Sequence, residues 1–273
     1  MHDSKHTAII REAQLAAGQI CYGANALGKA NHAETQFYAQ AFFGLSIGLE
    51  RMGKLIFLAD YAIRNGGTFP NDDKELRRLG HDLRVLLPNC EVIAKTLNPN
   101  RGYAQRPVDP INEAAVEVLA LFATKLRYYN LGFLAGTAGD QRDPIAMWWE
   151  KVAMLICQRH YTERQRQKDE AWGAFLDHSI GDSVMIRHTA EEGHPIDTLS
   201  AMHMRAGATS VVQKYGRMYV LQVVRWLESI MHDLSNKGAY ERSIRPLLGM
   251  YEPFRIFHND DKDLRNTKTW QIL

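Results

Sequence analysis

An arginine and a histidine in the C-terminal half have a spacing that could bring both side chains to one ligand. Arg225 and His232 are seven residues apart in a run with helical apolar periodicity. Seven residues return to nearly the same face of a helix, about 10 Å further along it. Arginine stabilises charge on phosphoryl oxygens and histidine exchanges protons near neutral pH. The pair could therefore face one phosphate, and the alternative is an ordinary exposed helix face.

Two further basic segments could contact a nucleic acid. Arg127 and Tyr128 could bind a phosphate and a base through charge and stacking. The alternative for Arg127 is an ion pair that ties its helix to a core carboxylate. The most basic stretch is 159–168, with Tyr161 inside it. Because Glu163 and the acidic residues after Lys168 temper its charge, this stretch is either a solvated helix face or an RNA contact.

Signals for a metal or a cofactor are weak. Four histidines and several carboxylates fall within 177–203, but neither His-Glu-x-x-His nor paired Glu-x-x-His occurs. No Gly-rich loop ends in Lys-Ser or Lys-Thr. The three cysteines, Cys21, Cys90 and Cys157, are widely spaced and odd in number, which suits a reducing compartment. We predict no metal centre and no cofactor.

The composition is typical of a soluble, globular chain. The 273 residues are 45% hydrophobic and 23% charged, which excludes general disorder. With 33 Lys+Arg against 31 Asp+Glu, the net charge of +2 excludes a large non-specific field for polyanions. The best uncharged run, 35–49, is too short to span a bilayer, and no basic flank precedes an apolar core at the N-terminus. We expect a cytoplasmic protein with no membrane partner.

The segments that must position these residues are nearly all helical. Apolar residues recur at intervals of three and four, and no long stretch alternates strictly. Asn31 with Glu34 predicts a capping box, while Asp109-Pro110 and Asp143-Pro144 each place a capping carboxylate before a proline at the first helical position. These signals predict helices over about 4–28, 31–64, 81–97, 110–135, 144–170, 171–191, 197–206, 208–236 and 239–250.

The helices divide near a glycine-containing break at 136–139. We predict an all-α protein in which residues 1–136 form a helical bundle and residues 137–273 form a second helical part packed on it. Trp148 and Trp149, on the first turns of a helix after the break, are expected to anchor the two parts to each other.

The N-terminal half resembles the HEPN superfamily of small helical bundles. The likeness rests on Gly44–Leu55, the glycine turn after it and Leu79–Leu87, and covers roughly residues 8–135. The resemblance implies a bundle that forms homodimers and a role in a bacterial toxin or anti-phage system. Many HEPN proteins are metal-independent ribonucleases marked by an arginine and a histidine with four to six residues between them.

The chain departs from the HEPN pattern at the place where that motif is expected. Arg127 is present, but Gly132, Phe133 and Leu134 occupy the positions of the histidine. Two hypotheses follow from the resemblance. In the first the protein binds or cleaves RNA, with Arg127 and Tyr128 as RNA contacts, and cleavage would use Arg225 and His232.

The second hypothesis is a catalytically silent HEPN-like module. It would bind a nucleotide or a partner protein such as an antitoxin or a defence-system component. A helical scaffold with no role in nucleic-acid binding is a third alternative, favoured by the near-zero net charge.

Overall fold

The computed structural model describes residues 4–98, 100, 102–139 and 141–272, and helices dominate them. The α-helices are α1 (Ser4–Leu27), α2 (Gln36–Arg64), α3 (Lys74–Leu79), α4 (Leu83–Leu97), α5 (Pro110–Leu121), α6 (Tyr129–Leu134), α7 (Pro144–Trp148), α8 (Met154–His160), α9 (Glu163–Ile180), α10 (Leu199–Asn236) and α11 (Asp261–Asn266). Two antiparallel strands, β1 (His188–Thr189) and β2 (Pro195–Ile196), form a minimal hairpin. The all-α class is confirmed.

Shorter helical segments of other types extend or follow the α-helices. The π-helical segments are Phe122–Leu126, Trp149–Ala153 and Lys237–Glu241, and the 3₁₀ segments are Gly102–Ala104, Gly181–Ser183, Arg245–Leu247 and Glu252–Phe257. None of the helices in the described ranges is both long enough and apolar enough to cross a membrane.

Helices α1 and α2 pack closely because glycines lie between them. A Cβ at Gly44 would come within 2.6 Å of Gln19 O, and one at Gly23 within 2.7 Å of Leu45 N. The predicted apolar stripe of α2 is fully buried. Its members are Phe42, Leu45, Leu49, Met52, Ile56 and Ala59.

Helix α10 is the central element of the fold. Its 38 residues extend about 57 Å, and it packs against α1, α2, α4, α5 and α8. Buried residues from both 1–136 and 137–273 belong to one hydrophobic cluster, in which Trp148 lies 5.6 Å, ring to ring, from Phe42 of α2. The anchoring position of Trp148 is as expected. A division near residue 136 stays a prediction, and the two parts share one core.

The predicted caps are largely confirmed. The side chains of Asp109 and Asp143 each accept a hydrogen bond from the backbone N–H two residues later, at the first turns of α5 and α7. Asn31 accepts from the N–H groups of Ala33 and Glu34, as a cap would, but α2 itself begins only at Gln36.

Several predicted helix bounds in the C-terminal half are wrong. The helix expected over 144–170 ends at His160, and a new helix begins after Thr162, whose hydroxyl accepts from Gln165 N–H. The helix expected over 171–191 ends at Ile180, and the hairpin follows it.

The expected break near residue 207 does not occur. Gly207 lies inside α10, where a Cβ would come within 2.2 Å of Asp169 Oδ2 on α9. This glycine therefore serves close packing between two helices rather than a turn. The last predicted helix, 239–250, is instead a π-helical turn followed by a 3₁₀ segment.

Candidate functional site

Arg225 and His232 both lie on α10, but they contact different parts of the structure. The guanidinium of Arg225 donates to Asn259 O (2.6 Å) and to Asp261 Oδ1 (2.8 Å), at the start of α11. The imidazole of His232 lies edge-on to the ring of Tyr251, with centroids 4.6 Å apart. The two side chains share the helix, as predicted, but each has its own set of partners.

His232 lines a cavity of about 370 Å³ between the last turns of α10 and the segment Glu252–Phe257. Arg225 does not line it. The cavity is lined by Glu228, Ser229, His232, Asp233, Tyr251, Arg255 and His258. This set joins two imidazoles, a guanidinium, two carboxylates and two hydroxyl groups, which together can bind an anion and exchange protons.

The 3₁₀ geometry of the segment Glu252–Phe257 brings Arg255 and His258 to this cavity. In a 3₁₀ helix, side chains three residues apart lie on the same face. Phe254 and Phe257 are fully buried and fix one face against the core. Arg255 and His258, each one position later, therefore share the adjacent face and line the cavity.

A tight turn before this segment folds the chain back onto α10. Gly249 has φ +73°, which favours glycine. Its N–H donates to Ser235 Oγ (3.1 Å), and that hydroxyl donates to Leu247 O (2.7 Å). The turn is thus held by α10 itself, and the cavity wall is fixed relative to His232.

Glu228 and His258 form a carboxylate–imidazole pair at the cavity wall. Glu228 is 2% exposed, and its Oε2 lies 2.6 Å from Nδ1 of the largely exposed His258. Burial raises the pKa of the Glu228 carboxyl, and the basic groups around it oppose the rise. Since Nδ1 of His258 is engaged by the carboxylate, Nε2 is available to a ligand, and the ring orientation is fixed.

Arg127 and Tyr128 lie together at a second cavity, of about 230 Å³, which shares no lining residue with the first. The Arg127 guanidinium lies 5.2 Å from the ring centroid of Phe43, and Tyr128 is exposed. The same cavity is lined by Phe42 and by Leu131 of α6. The structure thus places the two predicted RNA contacts beside each other and at a different cavity from His232.

Three carboxylates in the histidine-rich stretch 177–203 are engaged by a cation or by a backbone group. Arg205 pairs with both Glu191 and Glu192, and Asp177 accepts from Ser200 N–H. Within the ranges that the structure describes, no group of three or more His, Cys, Asp or Glu side chains is arranged to hold a metal ion.

The sequence interpretation missed Glu228, Tyr251, Arg255 and His258. Glu228 lies four residues before His232, so its place on the same helix face was readable from the spacing. Arg255 and His258 follow a proline in a short 3₁₀ segment. The segment is too short to show the apolar periodicity from which a helix could be predicted.

Comparisons with protein-family models, with curated proteins and with solved structures find no match to this chain. The site must therefore be interpreted from its own geometry.

Proposed function

We propose that the protein cleaves RNA without a metal ion, in the cavity lined by His232 and His258. The observation that carries this proposal is the pairing of two imidazoles and the Arg255 guanidinium on one open cavity, with one imidazole oriented by the buried Glu228. Such a set supplies a base, an acid and a cation without further components.

The chemistry that fits this set is transesterification at a phosphodiester. One neutral imidazole takes the proton of a ribose 2′-OH as its oxygen attacks the adjacent phosphorus. The other imidazole, protonated, gives its proton to the departing 5′-oxygen, and the products are a 2′,3′-cyclic phosphate and a free 5′-OH. Arg255 is placed to stabilise the charge that develops on the phosphoryl oxygens.

The roles predicted for Arg225 and Arg127 differ under this proposal. Arg225 donates hydrogen bonds to Asn259 O and to Asp261. We therefore assign it the role of positioning the segment that begins at Asn259 beside the cavity. Arg127 and Tyr128 remain proposed RNA contacts at the second cavity. The resemblance to HEPN toxins and anti-phage proteins, with homodimers formed through the N-terminal bundle, supports RNA as the substrate class.

The alternative is a silent module that binds a partner protein, and α6 favours it. Leu131, Phe133 and Leu134 are large apolar side chains on this short helix, and all three are exposed beside Tyr128. Exposed apolar groups clustered in this way are typical of protein interaction sites. An antitoxin or a defence-system component would be the partner.

The test is incubation of the purified protein with total cellular RNA in EDTA, followed by analysis of fragment ends. We expect fragments with 2′,3′-cyclic phosphate ends from the wild-type chain. His232→Ala and His258→Ala are expected to lower the cleavage rate by at least about a hundredfold, the usual contribution of a general acid or base. His194→Ala, an exposed histidine of the hairpin segment, is the matched control and retains the wild-type rate.

Two results would overturn the proposal. Intact RNA with the wild-type protein would leave the silent module as the better account. Cleavage that persists in both cavity variants would place the reaction elsewhere in the molecule.

A further inference from the structure

Helix α9 and the N-terminal part of α10 pack antiparallel as a two-helix arm. Asp169 of α9 approaches Gly207, and Gly173 and Asp177 approach Ser200. Gly173 is the one residue of α9 that is fully buried among those whose burial is described. Most of the surface of α9 therefore faces outward, away from α10.

The outward side of α9 carries an aromatic pair and two cations. Trp172 is 52% exposed and Phe175 is 54% exposed, with ring centroids 5.2 Å apart and ring planes 26° apart. Arg164 and Lys168 are exposed and lie about two turns and one turn before Trp172. At 3.6 residues per turn these four residues lie within a sector of about 80°. We call them the outer face of α9.

The acidic residues of α9 point elsewhere. Asp169 accepts a hydrogen bond from Tyr161 Oη (2.7 Å), Asp177 accepts from the α10 backbone, and Glu163 accepts from Gln167. By helical spacing, Glu163 and Glu170 lie on the side opposite the outer face.

The two cations of the outer face are consequently uncompensated. Among the described residues, neither Arg164 nor Lys168 has a carboxylate within ion-pair distance, although several other surface cations of the molecule do. On an ordinary solvated helix face, positive and negative side chains are interspersed. The chain as a whole carries nearly equal numbers of both, with 33 Lys+Arg and 31 Asp+Glu.

We propose that the outer face of α9 binds single-stranded RNA, with unpaired bases stacked on Trp172 and Phe175 and with phosphates beside Arg164 and Lys168. Single-strand sites combine aromatic platforms with a cationic track in this way. The choice of RNA as the nucleic acid rests on the proposed function, in which the arm captures the strand that the cavity cleaves.

Two other occupants fit the outer face less well. In a duplex the bases are paired and stacked on one another, so the aromatic pair would have no base to receive. In a two-fold contact with a second copy, the same patch meets itself, and the cations of both copies would meet without a carboxylate between them. A flexible, anionic strand with exposed bases satisfies both the rings and the charges.

Binding can be measured without cleavage and with a built-in optical reporter. A 2′-O-methyl oligouridine of about twelve nucleotides has no free 2′-OH and is within the usual length of single-strand sites. Trp148, Trp149, Trp226 and Trp270 are each at most 5% exposed, so Trp172 is the accessible tryptophan. We expect the oligonucleotide to quench Trp172 emission and the anisotropy of a labelled copy to rise over the same concentration range.

Substitutions on the outer face separate stacking from charge. Trp172→Ala and Phe175→Ala are each expected to weaken binding about tenfold. Trp172→Phe keeps an aromatic ring at this position, so we expect it to retain the affinity for the oligonucleotide. Because the accessible tryptophan is gone, the oligonucleotide should no longer quench the tryptophan emission. The double variant Arg164→Gln/Lys168→Gln is expected to reduce the slope of log K against log salt by about 1.4, or about 0.7 for each phosphate that the variant no longer neutralises.

Exposed residues elsewhere provide the controls. Tyr240→Ala removes an exposed aromatic side chain and Lys262→Gln removes an exposed cation, and neither is expected to change the affinity. Since all substituted side chains are exposed, unchanged circular dichroism verifies the fold of each variant.

The inference and the proposed function can fail independently. Oligonucleotide binding without any cleavage of natural RNA would overturn the proposed function and leave the outer face as a binding site. Equal affinity for duplex RNA, no binding at all, or wild-type affinity in Trp172→Ala would overturn the inference. It would also be overturned if Trp172→Ala converted a dimer into a monomer in sedimentation experiments with RNA binding unchanged.

Discussion

Two clusters of charged and titratable side chains in the described part of the molecule differ in whether their hydrogen bonds are completed within the fold. The first, which we call the strap network, comprises Tyr38, Trp149, Glu191, Glu192 and Arg205. The guanidinium of Arg205 donates to both carboxylates and lies 3.5 Å from the ring centroid of Trp149. Trp149 Nε1 donates to Tyr38 Oη (2.6 Å), which in turn donates to Glu191 Oε1 (2.8 Å).

The second place is the cavity beside α10. There, Glu228 and His258 engage each other, His232 Nδ1 lies 3.2 Å from Asp233 Oδ1 on its own helix, and His232, Arg255 and His258 line an open cavity. The Glu191 side chain is completely buried, whereas the imidazoles of the cavity are accessible to solvent.

The difference separates a structural role from a binding role. In the strap network each donor is satisfied by an acceptor within the fold, so the network holds the segment between α9 and α10 against α2 and the segment Trp149–Ala153. In the cavity similar groups remain available to a ligand. Residue types alone do not distinguish the two, because both combine carboxylates, an arginine and aromatic rings.

The largest expected effect is the loss of the cation from the strap network. Arg205→Met would leave the buried Glu191 carboxylate without its cation and with only the hydrogen bond from Tyr38, and removing one partner of a buried ion pair costs about 3–5 kcal/mol. Urea unfolding followed by circular dichroism should show this decrease in the free energy of unfolding. Arg77→Met, which removes an exposed i,i+4 pair with Asp73, is the matched control and should cost less than about 1 kcal/mol.

A decrease of less than about 1 kcal/mol in Arg205→Met would contradict a structural role for the strap network. Such a result would indicate that the Glu191 carboxylate tolerates the loss of its cation, as an exposed carboxylate does.

The buried face of α2 and the first turns of α5 and α7 could be predicted from the sequence because their signals are local. The stripe from Phe42 to Ala59 repeats at helical spacing, and Asp109 and Asp143 lie directly before a proline. Each signal is contained within a few turns of chain, so periodicity and capping chemistry suffice to predict these features. The helix predicted over 110–135 is wrong in its extent, because α5 ends at Leu121 and α6 begins at Tyr129.

The candidate site could not be assembled in the same way. His232 was identifiable by residue type, but His258 reaches it only through a glycine turn at Gly249 and a short 3₁₀ segment. Gly207 is a second example. A glycine can mark either the end of a helix or a close contact between helices, and here it allows α10 to pack against Asp169 of α9. Contacts between distant segments, rather than local propensity, decide both cases.

A smaller effect is expected from neutralising the buried carboxyl of the cavity. Because burial raises the pKa of Glu228 above its ordinary value of 4.5, the folded chain holds more protons than the unfolded chain between those two pKa values. The free energy of unfolding therefore falls as pH rises through that interval. Glu228→Gln removes this decrease, and its Oε1 can still accept a hydrogen bond from His258 Nδ1.

The measurement is urea unfolding of wild type and Glu228→Gln from about pH 4 to pH 7, across the range where carboxyl linkage acts. The stability of the variant relative to wild type should improve steadily with pH. Glu252→Gln, an exposed carboxyl in the 3₁₀ segment, is the control and should change stability by less than about 0.5 kcal/mol. A constant difference between Glu228→Gln and wild type would show that the carboxyl is not destabilised by burial.

The smallest expected effect on stability concerns the pair between Arg225 and Asp261, which lies beside the cavity and outside the strap network. Both side chains are partly exposed, so a double-mutant cycle with Arg225→Gln and Asp261→Asn should give a coupling of about 0.5 kcal/mol.

The effect of the same substitutions on RNA cleavage tests the role of Arg225 more directly than their effect on stability does. If Arg225 only positions the segment after Asn259, both variants should lower the cleavage rate by small factors, and Asp261→Asn should lower it less, because it leaves the hydrogen bond from Arg225 to Asn259 O in place. If Arg225 binds the phosphate itself, Asp261→Asn should raise the rate by freeing the guanidinium, whereas Arg225→Gln should lower it. Opposite signs in the two variants would return Arg225 to the catalytic group.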